Sequence, residues 1–598
     1  MAQALATGAE DVRWDLGELY SSPTDPRIEQ ALAEALDASQ EFESTYRGRV
    51  AQLSPEEFAE MMGTLEAMAE RSSLTGTYAA LLHTLNTADP AAGRLLARVE
   101  EAGAERGRHT VFFNLEVADL TDEQVAPLYA HPRTAQYRHT VEESRKYRRH
   151  NLTEVEEKLL NEFGPVGGSA WVRLHEELTS SITVDLDGQT IGLETALAKI
   201  RDPQREVRQG ATLAVTEALR KDIRTRAYVF NVLLQEKAIS DRLRKYDSWI
   251  SARNLANETS DAAVDALVTA VTGRYDVVAR YYRVKRKLLG LDELHEWDRY
   301  APVSADTRDL TWEDAKELVL GSYFRFSEKA GRLVQEFFDK PWIDAPTAPN
   351  KRGGAFCAGV TPSFHPYVML NFTGKLNDAL TLAHELGHGL HDRLAARQNL
   401  FDYHPPLTLA ETASVFGETL TFDRIMAEEK DPGIRLAMLC DQVEGGFATV
   451  FRQVSMNRFE NAVHTRRRSE GELSVEQIGE TWQETIQPMF GDSLTLTDAH
   501  KPWWSYVGHF IGAPGYVYSY AFGNLLALSV YRRFKESGPE FVDTYLDFLG
   551  AGGSTRPDEL VKTLGLDITD PGFWDSGLAI QEEMVAEVER LADGLATP

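Results

Sequence analysis

The stretch from Thr381 to His391, "TLAHELGHGLH", decides how this chain is read. It carries three histidines, one glutamate and two glycines, in a chain with only 15 histidines among 598 residues. On an α-helix, positions i and i+4 project from one face, so His384 and His388 present two imidazoles to one ion while Glu385 stands beside them. This His-Glu-x-x-His spacing is a zinc-binding pattern. Asn377 or Asp378 is placed to cap the helix start. Gly387 and Gly389 each cost roughly 1 kcal/mol in a helix interior relative to alanine, so something must offset them. A missing side chain at Gly387 that lets a second helix approach the metal would do so.

A catalytic zinc usually takes three protein ligands and keeps a fourth position for water. Downstream, "LTLAETASVFGETLTF" (Leu407 to Phe422) reads as a helix beginning near Thr408. Glu411 and Glu418, seven residues apart, fall on one face within about 20°. Glu411 is then the expected third ligand, and Glu418 the acceptor for the free N–H of a ligating imidazole. His365 precedes the strand-like run "PYVMLNF" (Pro366 to Phe372) and reads as a loop residue. That run offers a strand edge beside the metal helix, where an extended peptide would pair through its backbone.

Apolar residues recur at helical spacing through most of the chain, as in "EEFAEMMGTLEAMAERSSL" (Glu56 to Leu74) and "EEMVAEVERLADGLA" (Glu582 to Ala596). A predominantly α fold follows, with a small β-sheet beside the active-site helix drawn from Ala355 to Phe372. A hairpin is predicted in "SITVDLDGQTIGL" (Ser181 to Leu193), turning at Asp187-Gly188. Helical periodicity lapses from Gly164 to Leu193, which suggests an N-terminal helical domain over residues 1–195 and a helical catalytic domain over 196–598. The proline- and glycine-rich "DAPTAPNKRGG" (Asp344 to Gly354) introduces the strands of the site.

Composition bounds the rest. Hydrophobic residues at 43% and charged residues at 26% are ordinary for a globular protein. The net charge of −29 opposes nucleic-acid and anionic-lipid binding, and the strongest basic run, "HTRRRSEGE" (His464 to Glu472), reads as a solvated helix end. No window reaches the ~18 apolar residues of a membrane span, and the first thirty residues show no secretory signal. Two cysteines, Cys357 and Cys440, fit a reducing compartment, so a cytoplasmic location is expected, with no nucleic-acid or membrane partner.

"AHELGHGLH" followed by "ETASVFGE" resembles the thimet oligopeptidase and oligoendopeptidase F metallopeptidases. "WDLGELY" (Trp14 to Tyr20), "DPQREVRQGA" (Asp202 to Ala211) and "GHFIGAPGYVYSYAFGNLLA" (Gly508 to Ala527) point to the oligoendopeptidase F branch. The resemblance implies a large helical ovoid with a deep substrate channel, one Zn²⁺ held by His384, His388 and Glu411, and Glu385 as general base. It further implies that His509, Tyr516 and Tyr520 face the substrate carbonyl, with Tyr518 a rival for Tyr516. The thimet branch carries a further tyrosine where this chain has Gly523.

Peptide hydrolysis suits these groups. Two neutral imidazoles and one carboxylate leave zinc positive enough to activate water near pH 7. Glu385 would take a proton and return it to the leaving amine, and the zinc with a Tyr516 hydroxyl, or with an imidazolium from His509, in a stretch containing Gly508, Gly512 and Gly515, would share the developing negative charge. The expectation is a zinc endopeptidase acting on short peptides. A helical zinc carboxypeptidase or dipeptidyl peptidase would use the same ligands but needs a cation for a substrate terminus. A binding or scaffold protein with a structural ion is disfavoured, because such sites usually close with four protein ligands, often cysteine.

Overall fold

Helical periodicity is realised along most of the chain. The computed structural model describes residues 7–303 and 309–595. Among the described residues the protein is 71% helical with two small sheets. It folds as two compact units, each assembled from three stretches: Met1–Glu154, Thr307–Glu428 and Arg533–Leu566 form the first, and Val155–Asp306, Glu429–Arg532 and Asp567–Pro598 the second. The units interleave in the chain, and the expected division at 195/196 falls inside the second. Hydrophobic periodicity shows which face of a helix is buried, not which distant helix covers it.

In the first unit, helices Pro26–Tyr46, Pro55–Leu85 and Pro90–Ala118 pack on one another around Phe42, Phe58, Met61, Met62, Phe112 and Phe113. Each begins with proline after an aspartate or serine cap, and Ser54 and Glu57 close a reciprocal capping box. In the second unit, the long helix Pro571–Leu595 packs on Asp261–Gly273, Tyr275–Leu288 and Pro432–Thr449.

The hairpin forms as expected. Strands β1 (Thr183–Leu186) and β2 (Gln189–Gly192) pair antiparallel, with φ of 51° at Asp187 and 77° at Gly188, as a type I′ turn requires. The predicted lapse before it is only partial, because Gly168–Ser180 is helical. Only His175 of that helix is fully buried. "HTRRRSEGE" does lie at a helix end, that of Phe451–Glu470, but His464 is buried.

The second sheet, in the first unit, comprises β3 (Ile343–Pro346), β4 (Phe356–Ala358) and β5 (Tyr367–Phe372) in the order β3-β5-β4, with β3 parallel and β4 antiparallel to β5. This corrects one expectation: the "PYVMLNF" strand is the centre of the sheet, not an edge. Five of its six strand residues are buried, and a near-continuous apolar run is what a strand covered on both faces shows. The edge beside the site is β4. The linker between β3 and β4 is fastened by buried Lys351, whose Nζ donates to Asp344 Oδ1 at 2.6 Å and to the carbonyls of Leu370 at 2.7 Å and Pro346 at 2.8 Å. The Asp344–Lys351 pair therefore sets the spacing of the strands that flank the histidine helix.

Candidate active site

The histidine helix, Leu376–Ala395, is capped from its third position, where Asp378 accepts from the backbone N–H groups of Lys375 and Thr373 at 3.0 and 2.7 Å. One face, with Ala383, Leu386 and Leu390, is buried. It packs against the glutamate helix, Leu407–Glu428, which starts one residue before the position expected from sequence.

Glycine makes that packing possible. A Cβ on Gly387 would lie 2.6 Å from the Ser414 Cα and collide with the Ala413 carbonyl oxygen. Gly417, on the glutamate helix, leaves room for the Tyr323 hydroxyl, which donates to the Ala383 carbonyl at 2.8 Å. Gly389 faces the Phe337 ring, where a Cβ would lie 2.5 Å from Cζ. The helix-weakening glycines of the opening motif are thus contact points for neighbouring elements.

The close approach brings His384, His388 and Glu411 together, one ligand atom from each within 4.8 Å of the others. Glu411 Oε2 lies 3.3 Å from His384 Nε2 and 3.6 Å from His388 Nε2. Glu418 Oε2 lies 3.1 Å from His384 Nδ1, the contact expected of a carboxylate that orients a ligating imidazole. The Ser414 hydroxyl donates to Glu411 Oε2 at 2.7 Å. Sequence reasoning assigned Ser414 no part, although its place one turn after Glu411 is a usable signal.

The charges are strongly coupled. Burial disfavours a charged His384, but the Glu411 and Glu418 carboxylates outweigh it and push the imidazole up to about 10. Burial opposes ionised Glu411 as well, yet His384, His388 and Ser414 bring it down to about 2. His388, pressed by burial and held less firmly by Glu411, falls to about 4. Glu385 is 6% exposed. Burial raises its carboxyl to about 7, with His384 and the Cys357 backbone on β4 working against the rise.

His509, Tyr516 and Tyr520 meet in the second unit. His509 Nε2 and Tyr520 Oη are 3.1 Å apart, the His509 and Tyr516 rings are stacked with centroids 5.7 Å apart, and Tyr516 and Tyr520 are edge to face at 5.2 Å. Tyr518 is apart from this group. It is fully buried and accepts a hydrogen bond from Asn257 Nδ2 at 2.8 Å. Gly515, at φ 76°, donates its N–H to buried Glu460 at 2.8 Å, which fixes the backbone just before Tyr516. His365 is a buried loop residue, stacked on Trp342 at 4.0 Å and 3.0 Å from Glu18 Oε2, and has no place among the ligands.

With this geometry, comparison with known proteins is decisive. The profile of Peptidase family M3 matches residues 199–580, and that of the Oligopeptidase F amino-terminal region matches 116–183. The chain belongs to peptidase family M3. Among relatives of this M3 peptidase, Oligopeptidase PepF of Bacillus subtilis is 27% identical over 557 residues, covering 92% of this chain and 83% of its own. Group B oligopeptidase PepB of Streptococcus agalactiae is 26% identical over 490 residues, covering 80% and 81%. A solved chain from Chlamydophila abortus superposes with a TM-score of 0.84 at 25% identity, over 97% of this chain and 98% of that one. Oligoendopeptidase-F of Enterococcus faecium shares the fold at a TM-score of 0.72 and 22% identity, over 95% and 98%. The family is one of zinc-dependent metallopeptidases, and this member hydrolyses peptides.

Proposed function

We propose that this M3 peptidase is a zinc-dependent endopeptidase that cuts internal bonds of short peptides. His384, His388 and Glu411 would hold the ion, Glu385 would act as base and then acid, and Tyr516 with His509 would face the substrate carbonyl. The observation that carries the reading is the convergence of both Nε2 atoms on one Glu411 oxygen, at 3.3 and 3.6 Å, beside a buried carboxyl at Glu385. Two imidazoles and one carboxylate are the donor set of an open catalytic zinc site rather than a closed structural one.

Zinc, when bound, supplies Lewis acidity toward water and the scissile carbonyl. The chain's own residues supply orientation and proton transfer. Glu418 at Nδ1 of His384 leaves Nε2 as the ligating atom, and Ser414 steadies Glu411. Glu385 is buried, so its carboxylate is poorly solvated and basic enough to accept a proton from water and pass it to the leaving amine. Partial burial lowers the His509 imidazole below its ordinary value, so at neutral pH it would offer a neutral N–H rather than a cation. The Tyr516 hydroxyl would be the second donor to the developing oxyanion. The outer strand β4 offers backbone groups for an extended peptide, which favours broad sequence tolerance. Free cysteines Cys357 and Cys440 fit the reducing cytoplasm, and the net charge of −29 disfavours nucleic-acid and anionic-membrane partners.

The test pairs metal content with cleavage of an internally quenched peptide blocked at both ends, for wild type and Glu385→Ala. About one zinc per chain in both proteins, with cleavage only in the wild type, is expected. Zinc without cleavage in the wild type would rule out endopeptidase action, and absence of zinc would remove the metal site.

A further inference from the structure

A second cluster of charge lies in the second unit and takes no part in the proposed chemistry. Three arginines converge on one tyrosine. The Arg299 guanidinium lies over the Tyr300 ring at 4.5 Å and that of Arg201 at 4.9 Å, while Arg452 Nη1 donates to Tyr300 Oη at 2.7 Å. Among the described residues none of the three forms an ion pair with a carboxylate. The Nε atoms of Arg299 and Arg452 are shielded from solvent and have no hydrogen-bond partner. A buried unpaired donor is rare, and a bound water or ion is a usual explanation for one.

Both arginines line a cavity of about 20 Å³, together with Tyr300, Glu444, Tyr282 and Phe490. Glu444 does not neutralise them. It already receives the Tyr281 hydroxyl at 2.5 Å and the fully buried Lys285 ammonium. Among the carboxylates near Arg201, Arg299, Arg452 and Lys285, Glu444 is thus already paired. The imbalance is felt at Tyr300: burial alone would raise its phenol, but the three guanidiniums outweigh it and draw it down to about 8. Asp441, on which Lys285 and Arg201 act, adds a second carboxylate, so four cations still face only two.

We infer that this cavity binds a small inorganic monovalent anion, chloride in the first instance, held by the N–H groups of Arg299 and Arg452. Charge argues for an anion over water, because the half-buried guanidiniums of Arg299 and Arg452 repel one another until a negative group lies between them. Size favours a small anion: the space open to a water-sized sphere is about 20 Å³, little more than one water needs. The site is independent of the zinc reading, since none of its residues belongs to the proposed catalytic group.

The test uses the full-length protein. Crystals soaked in sodium bromide and measured at the bromine absorption edge should show an anomalous peak between Arg299 and Arg452. In solution, sodium chloride should raise Tm by about 2 °C or more, saturably, over sodium gluconate at equal ionic strength. Arg452→Gln should lose that difference while keeping its helical circular dichroism. If the variant fails to fold, the bromide map of the wild type decides alone. No bromine peak in the cavity, or a chloride-specific Tm rise undiminished in folded Arg452→Gln, would overturn the inference.

Discussion

Gly387 and Ser414 meet backbone to backbone: a Cβ on Gly387 would come within 2.6 Å of the Ser414 Cα. Backbone cannot swing aside as a side chain does, so Gly387→Ala must push the histidine and glutamate helices apart. Overpacking of this kind costs about 1–3 kcal/mol, and here it also moves Glu411 away from His384 and His388. The expected outcome is a lowered Tm together with substoichiometric zinc. Gly389→Ala meets the Phe337 side chain rather than the backbone of the glutamate helix, so it should lower Tm but keep its metal. Equal zinc content in wild type and Gly387→Ala would show that the glycine is not what sets the ligand spacing.

Glu418 touches His384 at Nδ1, on the side away from Glu411. Glu418→Gln keeps the shape but removes the charge that fixes the imidazole tautomer. Zinc affinity should fall about 10–100-fold, measured by competition with a chromogenic chelator. Activity at saturating zinc should recover in large part. An unchanged affinity would mean that the 3.1 Å contact does not orient the ligand.

Tyr516 and Tyr518 separate cleanly by environment. Tyr516 stands with His509 and Tyr520, whereas Tyr518 is buried and bonded to Asn257. Tyr516→Phe should lower kcat by about 10²–10³-fold with little change in KM. Tyr518→Phe should leave kcat near wild type and reduce stability by about 1–3 kcal/mol, because Asn257 loses an acceptor in a buried place. Steady-state kinetics and thermal melts on the two variants check both halves, and an exchange of the two phenotypes would reassign the donor.

The residues proposed for the metal site could be picked out in the sequence because helix geometry is local. The i, i+4 spacing of His384 and His388, and the seven-residue spacing of Glu411 and Glu418, place side chains on faces without any knowledge of the fold. The reason for Gly387 could be anticipated because it stands between the two histidines, where a second helix must come close to complete the proposed ligand set. What escapes is long-range. Nothing in "PYVMLNF" says that β3 and β4 flank it on both sides, because a buried central strand and an edge strand with one covered face differ in what their neighbours do. The interleaving of the two units is equally invisible, being a matter of which distant stretches pair. Tyr516 and Tyr518, two residues apart, could be told apart only once Asn257 and Glu460 were seen to hold the segment from both ends.

Glu460 makes the last point testable through pH. Its carboxyl is 1% exposed and accepts the Gly515 N–H. Burial pushes it up to about 8, against the smaller opposing pulls of Gly515 and Arg253. An unfolded glutamate ionises near pH ~4.3, so between that pH and about 8 the folded chain holds a proton that the unfolded chain has lost. The sign follows from linkage: where the native state binds more protons, stability falls as pH rises, and it levels off above the folded value. Glu460→Gln keeps an oxygen acceptor for Gly515 but has no proton to lose. Its Tm relative to wild type should therefore climb steadily from pH 5 to pH 8 and then stay constant. Melting curves for the two proteins that run parallel across this range would show that Glu460 is ionised in the folded state, with Arg253 as its counter-charge.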